Sequence, residues 1–268
     1  MKNLFKLFSN TTIQCLKAFT LAEVVLVMGI IGIVGILAVT NARKDVDDAE
    51  KIAQLRKTYE ILGAAFATAV AENGTTDGWG TDNNFWNTIK PYLKLSQNCG
   101  SAKGCWRPGN TVNLTSVNGF DINGSAPFYK GILTNGASIS VSTCGSACTD
   151  RLKNTDNNNE NYQYAQVYVD VNGPKKGLHK LGDDIFAFRV TKNGDVRPYV
   201  PTGDNQKNDN VNNTTIAKCR ENGIYCTAWA IKFGNIDYLN TNASGVCNNN
   251  SSITLNWNGA HSCTKSRQ

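Results

Sequence analysis

Residues 19–39 read FTLAEVVLVMGIIGIVGILAV, a run of 21 residues in which Glu23 is the one charge. A helix rises 1.5 Å per residue, so this run reaches about 30 Å, the thickness of a bilayer's hydrocarbon core. The reading is a single membrane span, and it divides the chain. Residues 1–18 form a leader with Lys2, Lys6 and Lys17 and no acid, which favours keeping the N-terminus in the cytoplasm. Residues 19–40 form the apolar helix, 41–74 its amphipathic continuation, and 75–268 a head outside the cytoplasmic membrane. A secretory signal core has about 7 to 15 apolar residues and no use for an acid, so this run is too long for one.

Glu23 is the anomaly within the span. A carboxylate at bilayer depth costs about 2.5–3.5 kcal/mol unless it finds a partner. Cutting the chain between Ala18 and Phe19 would create an α-ammonium four residues from Glu23, on the same helical face. Amines and carboxylates of neighbouring helices could match in the same way, which would favour lateral stacking of many copies.

The stretch KAFTLAEVVLVMGIIGIVG, from Lys17 to Gly35, resembles the leader junction and N-terminal helix of type IV pilins and type II secretion pseudopilins. The resemblance implies a pilin-like fold and cleavage after Ala18 by a membrane prepilin peptidase. It also implies methylation of the new Phe19 amine, with Glu23 directing assembly. The partners it implies are other pilin or pseudopilin subunits, an inner-membrane assembly platform and the lipid bilayer. Two features depart from the family: Ala18 stands where Gly is usual, and the mid-helix Pro of many members is absent.

After Thr40 the pattern turns amphipathic. Ile52, Leu55, Tyr59, Leu62, Phe66 and Val70 recur at three- and four-residue intervals, the stripe of a helix that covers a sheet, and Asn73-Gly74 is a fitting stop. Short β-type runs follow: TVNLTSV, ASISVST, YAQVYVDV, DIFAFRVT, VRPYV and TAWAIKF. A hairpin is expected at Asn193-Gly194. The fold class is therefore α+β, with one long helix on an antiparallel sheet.

Eight cysteines lie beyond the span, in close couples: Cys99 with Cys105, Cys144 with Cys148, Cys219 with Cys226, and Cys247 with Cys263. No CxxC occurs, so zinc and thioredoxin-like chemistry lose ground to four local disulfides in an oxidising compartment. The 34 Asn residues gather in tracts such as NTDNNNEN and DNQKNDNVNN, read as polar loops.

The segment VYVDVNGPKKGLHKLGDDIFAF also looks like a stretch of pseudopilin-like proteins in which a DxNG turn precedes a strand. Major pseudopilins carry a calcium loop in this region. Asp170, Asn172, Asp183 and Asp184 are accordingly the candidate ligands for Ca²⁺, although Asx turns explain the same residues without metal.

No cofactor is required by this reading. His179 and His261 are the two histidines, and neither stands in a hydrolase motif, so no enzyme is expected. Removing Lys2, Lys6 and Lys17 from the net charge of +6 leaves +3, with Lys and Arg scattered, which sets nucleic acid aside. The sequence thus reads as a single-pass inner-membrane precursor of a filament subunit. The alternative is a membrane-anchored extracytoplasmic adhesin or binding protein that never polymerises.

Overall fold

A computed structural model describes residues 21–106, 128–143, 163–176, 180–199 and 212–264, with only the backbone for residues 35–45, 163, 213–215 and 222. The first helix, α1, runs Leu21–Asn73 and passes through two compact units that meet at Val46 and Asp47. In the first unit the large side chains of α1 are exposed, among them Leu21, Val25, Leu26, Met28, Ile31 and Ile33.

In the second unit α1 buries Ile52, Leu55, Thr58, Leu62, Ala65, Phe66 and Ala69 and half-buries Tyr59 and Val70. This is the stripe expected from the spacing, widened by small residues that let the helix lie close to the sheet. Tyr59 stacks on Phe188 at 5.5 Å between ring centroids, and Phe66 on Trp79 at 6.2 Å. The helix stops where Asn73-Gly74 indicated, with the Gly74 N–H donating to the Val70 carbonyl at 2.9 Å. The adjoining helix α2 (Asn83–Ile89) adds Phe85, Trp86 and Ile89 to the same core.

The sheet has six antiparallel strands in chain order: β1 Leu95–Gly100, β2 Tyr129–Leu133, β3 Ser138–Thr143, β4 Gln163–Asp170, β5 Ile185–Thr191 and β6 Val196–Pro198. Register places Ile139 beside Val169 and Phe186, and Val141 beside Val167 and Phe188. Side chains alternate between the faces of a strand, so these residues make one continuous apolar face, which α1 covers.

The opposite face carries Lys130, Ser140 and Tyr168 in one row and Ser142, Gln166 and Arg189 in the next. It is polar in composition yet buried. Beside it Trp106, Phe128, Leu181, Ile185 and Ile224 form a second, smaller core with Tyr168.

Two turns explain how the sequence closes these strands. At the β5–β6 hairpin Gly194 has φ +80° and donates to Thr191 O at 3.0 Å, as Asn193-Gly194 predicted. Its backbone presses on α1: a Cβ there would lie 2.6 Å from Val70 Cγ2. Asparagines elsewhere act as local turn caps. Asn98, Asn135, Asn235, Asn242, Asn250 and Asn256 each accept, through Oδ1, the backbone N–H two residues on, at 2.9 to 3.2 Å. An Asx turn needs only that short reach, which is one physical use for Asn in this chain.

The run TAWAIKF is a correction. It was expected as a strand and forms helix α4, Thr227–Phe233. Ala228, Trp229 and Ala230 are all buried, and Gly234 ends the helix with φ +70°, its N–H bound to Ala230 O at 3.0 Å. Apolar periodicity could not separate helix from strand over seven residues, whereas the left-handed Gly234 cap does. Helix α3 (Asn213–Asn222) precedes it, and the small hairpin of β7 (Val246–Cys247) and β8 (Asn250–Thr254) follows. The expected strand TVNLTSV lies outside the described residues.

Candidate functional site

Glu23 stands in the first turn of α1 as described, an acid near the positive end of a helix dipole, and its side chain is exposed. Around it Leu21, Val24, Val25 and Val27 are exposed as well. Ala18 and Phe19, the expected cleavage and methylation positions, lie outside the described residues. Among the described residues no helix is long and apolar enough to cross a membrane, so the span expected over 19–40 is not found there. The apolar run with described side chains stops at Val34, and a span needs about 20 such residues.

The expected calcium ligands come together in part. Asp170 ends β4 opposite Ile185, which begins β5, so Asp170 and Asp184 meet at one end of that strand pair. Both are fully buried. Asp170 Oδ1 accepts from the Asn172 N–H at 3.1 Å, and Asp184 Oδ1 accepts from the Lys180 N–H. Asp183 accepts from the Lys51 ammonium, which also reaches Asp48 at 3.5 Å. Asn172 serves the turn through its backbone. Among the described residues no group of three or more His, Cys, Asp or Glu is placed to hold a metal.

Lys51 supplies a positive charge from α1 to this end of the sheet. Burial works against its charge, but the hydrogen bond from Asp183 and the charges of Asp183, Asp48 and Asp184 outweigh burial and raise its pKa above the usual lysine value. The residue was absent from the sequence reading because its partner lies 132 positions away. Nearby, Tyr238 donates to Gly182 O at 2.6 Å, and burial, with the charges of Asp183 and Asp48, pushes its phenol well up.

Three of the four expected disulfides are present: Cys99–Cys105, Cys219–Cys226 and Cys247–Cys263. Cys144 and Cys148 lie outside the described residues, as does His179. The bond to Cys247 leaves Cys263 without a thiol. His261 stacks on Phe233 at 3.9 Å between centroids, and its Nε2 lies 3.2 Å from Trp257 O. The imidazole is therefore part of an aromatic cluster with Trp229 and Trp257, over which the Lys232 ammonium sits 4.7 Å from the Trp257 ring.

Comparison of the chain with protein-family models, with curated proteins and with solved structures gives no match.

Proposed function

We propose that the chain is a prepilin-like structural subunit of a type IV pilus or a type II secretion pseudopilus. A prepilin peptidase cuts between Ala18 and Phe19, the amine of Phe19 is methylated, and residues 19–40 hold the precursor in the bacterial inner membrane as a single span. The head stands outside the cytoplasm. An assembly platform then draws the apolar helix of each copy against its neighbours, and the chain itself performs no catalytic step.

One observation carries this reading: a lone acid, Glu23, set among exposed apolar side chains at the start of α1. Exposed apolar surface on this scale calls for lipid or a partner helix. A carboxylate inside it calls for a cation, which the Phe19 amine of the adjoining copy would supply. The disulfide-clipped head agrees with an oxidising compartment.

Mass spectrometry of the purified N-terminus tests the proposal. The expected species begins at N-methyl-Phe19, and Glu23→Ala is expected to leave processing intact while abolishing polymer. An uncut Met1 with normal surface display would refute the proposal and favour an anchored adhesin.

A further inference from the structure

The head half of α1 turns one face to its sheet and leaves the other uncovered. On the uncovered face Glu50 and Lys57 are exposed, opposite in charge and unpaired among the described residues. They stand seven residues apart, which turns a helix by about two full turns and leaves both side chains within about 20° of one line. The remaining exposed positions of this face are charges or small residues.

Laying a second, parallel copy of the same helix alongside tests each axial shift. A shift of seven residues sets Glu50 of one copy against Lys57 of the next. It also sets Arg56 against Ala49, Glu60 against Ala53, and Lys57 and Glu60 against Ala64 and Ala67, all exposed. No like charges meet, and every charge other than the Glu50–Lys57 pair faces a methyl group, which permits close approach. A shift of three brings Asp47 onto Glu50, and a shift of ten brings Glu50 onto Glu60. A shift of four or six rotates the contact off this face.

From this charge and size complementarity we infer that the uncovered face of α1 between Asp47 and Ala71 is a docking surface for a second copy of the chain, offset by seven residues, about 10 Å along the axis. The inference rests on the proposed assembly and adds its register. The offset has the same sense as the Phe19-to-Glu23 pairing between copies: in each, the lower-numbered group of one copy meets the higher-numbered group of the next.

A water-soluble carbodiimide reads the contact in the unaltered protein. It activates the Glu50 carboxylate, the Lys57 amine displaces it to form an amide, and the carbodiimide leaves as its urea, having taken up the water. Polymer grown from mixed isotopically light and heavy full-length chains is expected to yield the 50–57 cross-linked peptide in hybrid form, which marks a link between copies. Lys57→Arg is expected to keep the polymer and lose the link. Lys57→Glu is expected to lower polymer yield about fivefold, with recovery in the Glu50→Lys/Lys57→Glu double variant. Polymer whose hybrid links omit 50–57, or equal yields from every variant, overturns the register while leaving assembly in place. Failure of the unaltered chain to polymerise overturns the assembly reading itself, which Glu23→Ala examines separately.

Discussion

Replacing Gly194 with Ala should destabilise the head far more than replacing Gly136 with Ala, although both glycines have left-handed backbones, with φ of +80° and +89°. The shared backbone effect is about 1 kcal/mol for an L-residue. Only at Gly194 does the added methyl collide: its Cβ would lie 2.6 Å from Val70 Cγ2 and 3.2 Å from the Phe66 carbonyl, whereas Gly136 faces open space. Overpacking of that kind costs about 1–3 kcal/mol, because either the β5–β6 turn or α1 must move. The expected losses are thus about 2–4 kcal/mol for Gly194→Ala and about 1 kcal/mol for Gly136→Ala. Urea denaturation of the full-length protein in detergent, followed by tryptophan fluorescence, measures both, since Trp79 stacks on Phe66 in the turn of α1 that Gly194 abuts. Val70→Ala removes the colliding methyl, so in the Gly194→Ala background it should recover part of the loss rather than add to it. Equal losses at the two glycines, or strict additivity with Val70→Ala, would refute the packing of this hairpin against the helix.

Two further outcomes follow from particular contacts. Lys51 has a raised pKa in the fold, so its contribution is complete below its ordinary value of 10.5 and is lost as pH rises through the higher folded value. Lys51→Met should cost about 1–2 kcal/mol at neutral pH and flatten the alkaline arm of the stability profile; an unchanged profile would remove the ion pair with Asp183 from the account. Changing both Cys247 and Cys263 to Ser should cost about 3 kcal/mol, since the bond closes a separation of 16 residues. A melting temperature indifferent to that pair of changes would mean that the C-terminal segment is held without it.

The stripe from Ile52 to Val70 was legible because helical spacing is a local property, and the burial follows it residue by residue. Hairpin turns at Asn172-Gly173 and Asn193-Gly194 were legible for the same reason: a glycine with positive φ announces itself in the sequence. The close spacing of the cysteine couples likewise anticipated three bonds. TAWAIKF was misread, since seven residues carry too little periodicity and the deciding cue, Gly234, lies just past the run. Strands β1 and β2 went unread. LSQNCG exposes three of its six residues at the sheet edge, and YKGIL places a buried Lys130 where alternation would put an apolar residue.

By itself the sequence determined what depends on neighbours along the chain: an apolar run with one acid, an amphipathic helix with its stop, turn chemistry and cysteine couples. Only the tertiary structure decided which groups meet across long separations. It set the Lys51 ammonium on Asp183, pressed the Gly194 turn onto Val70, and enclosed the row of Lys130, Ser140 and Tyr168 on the far face of the sheet. The physical reason is that helical and turn preferences act over a few residues, while the partner of a charge is fixed by strand register and by the side of the sheet on which the helix lands.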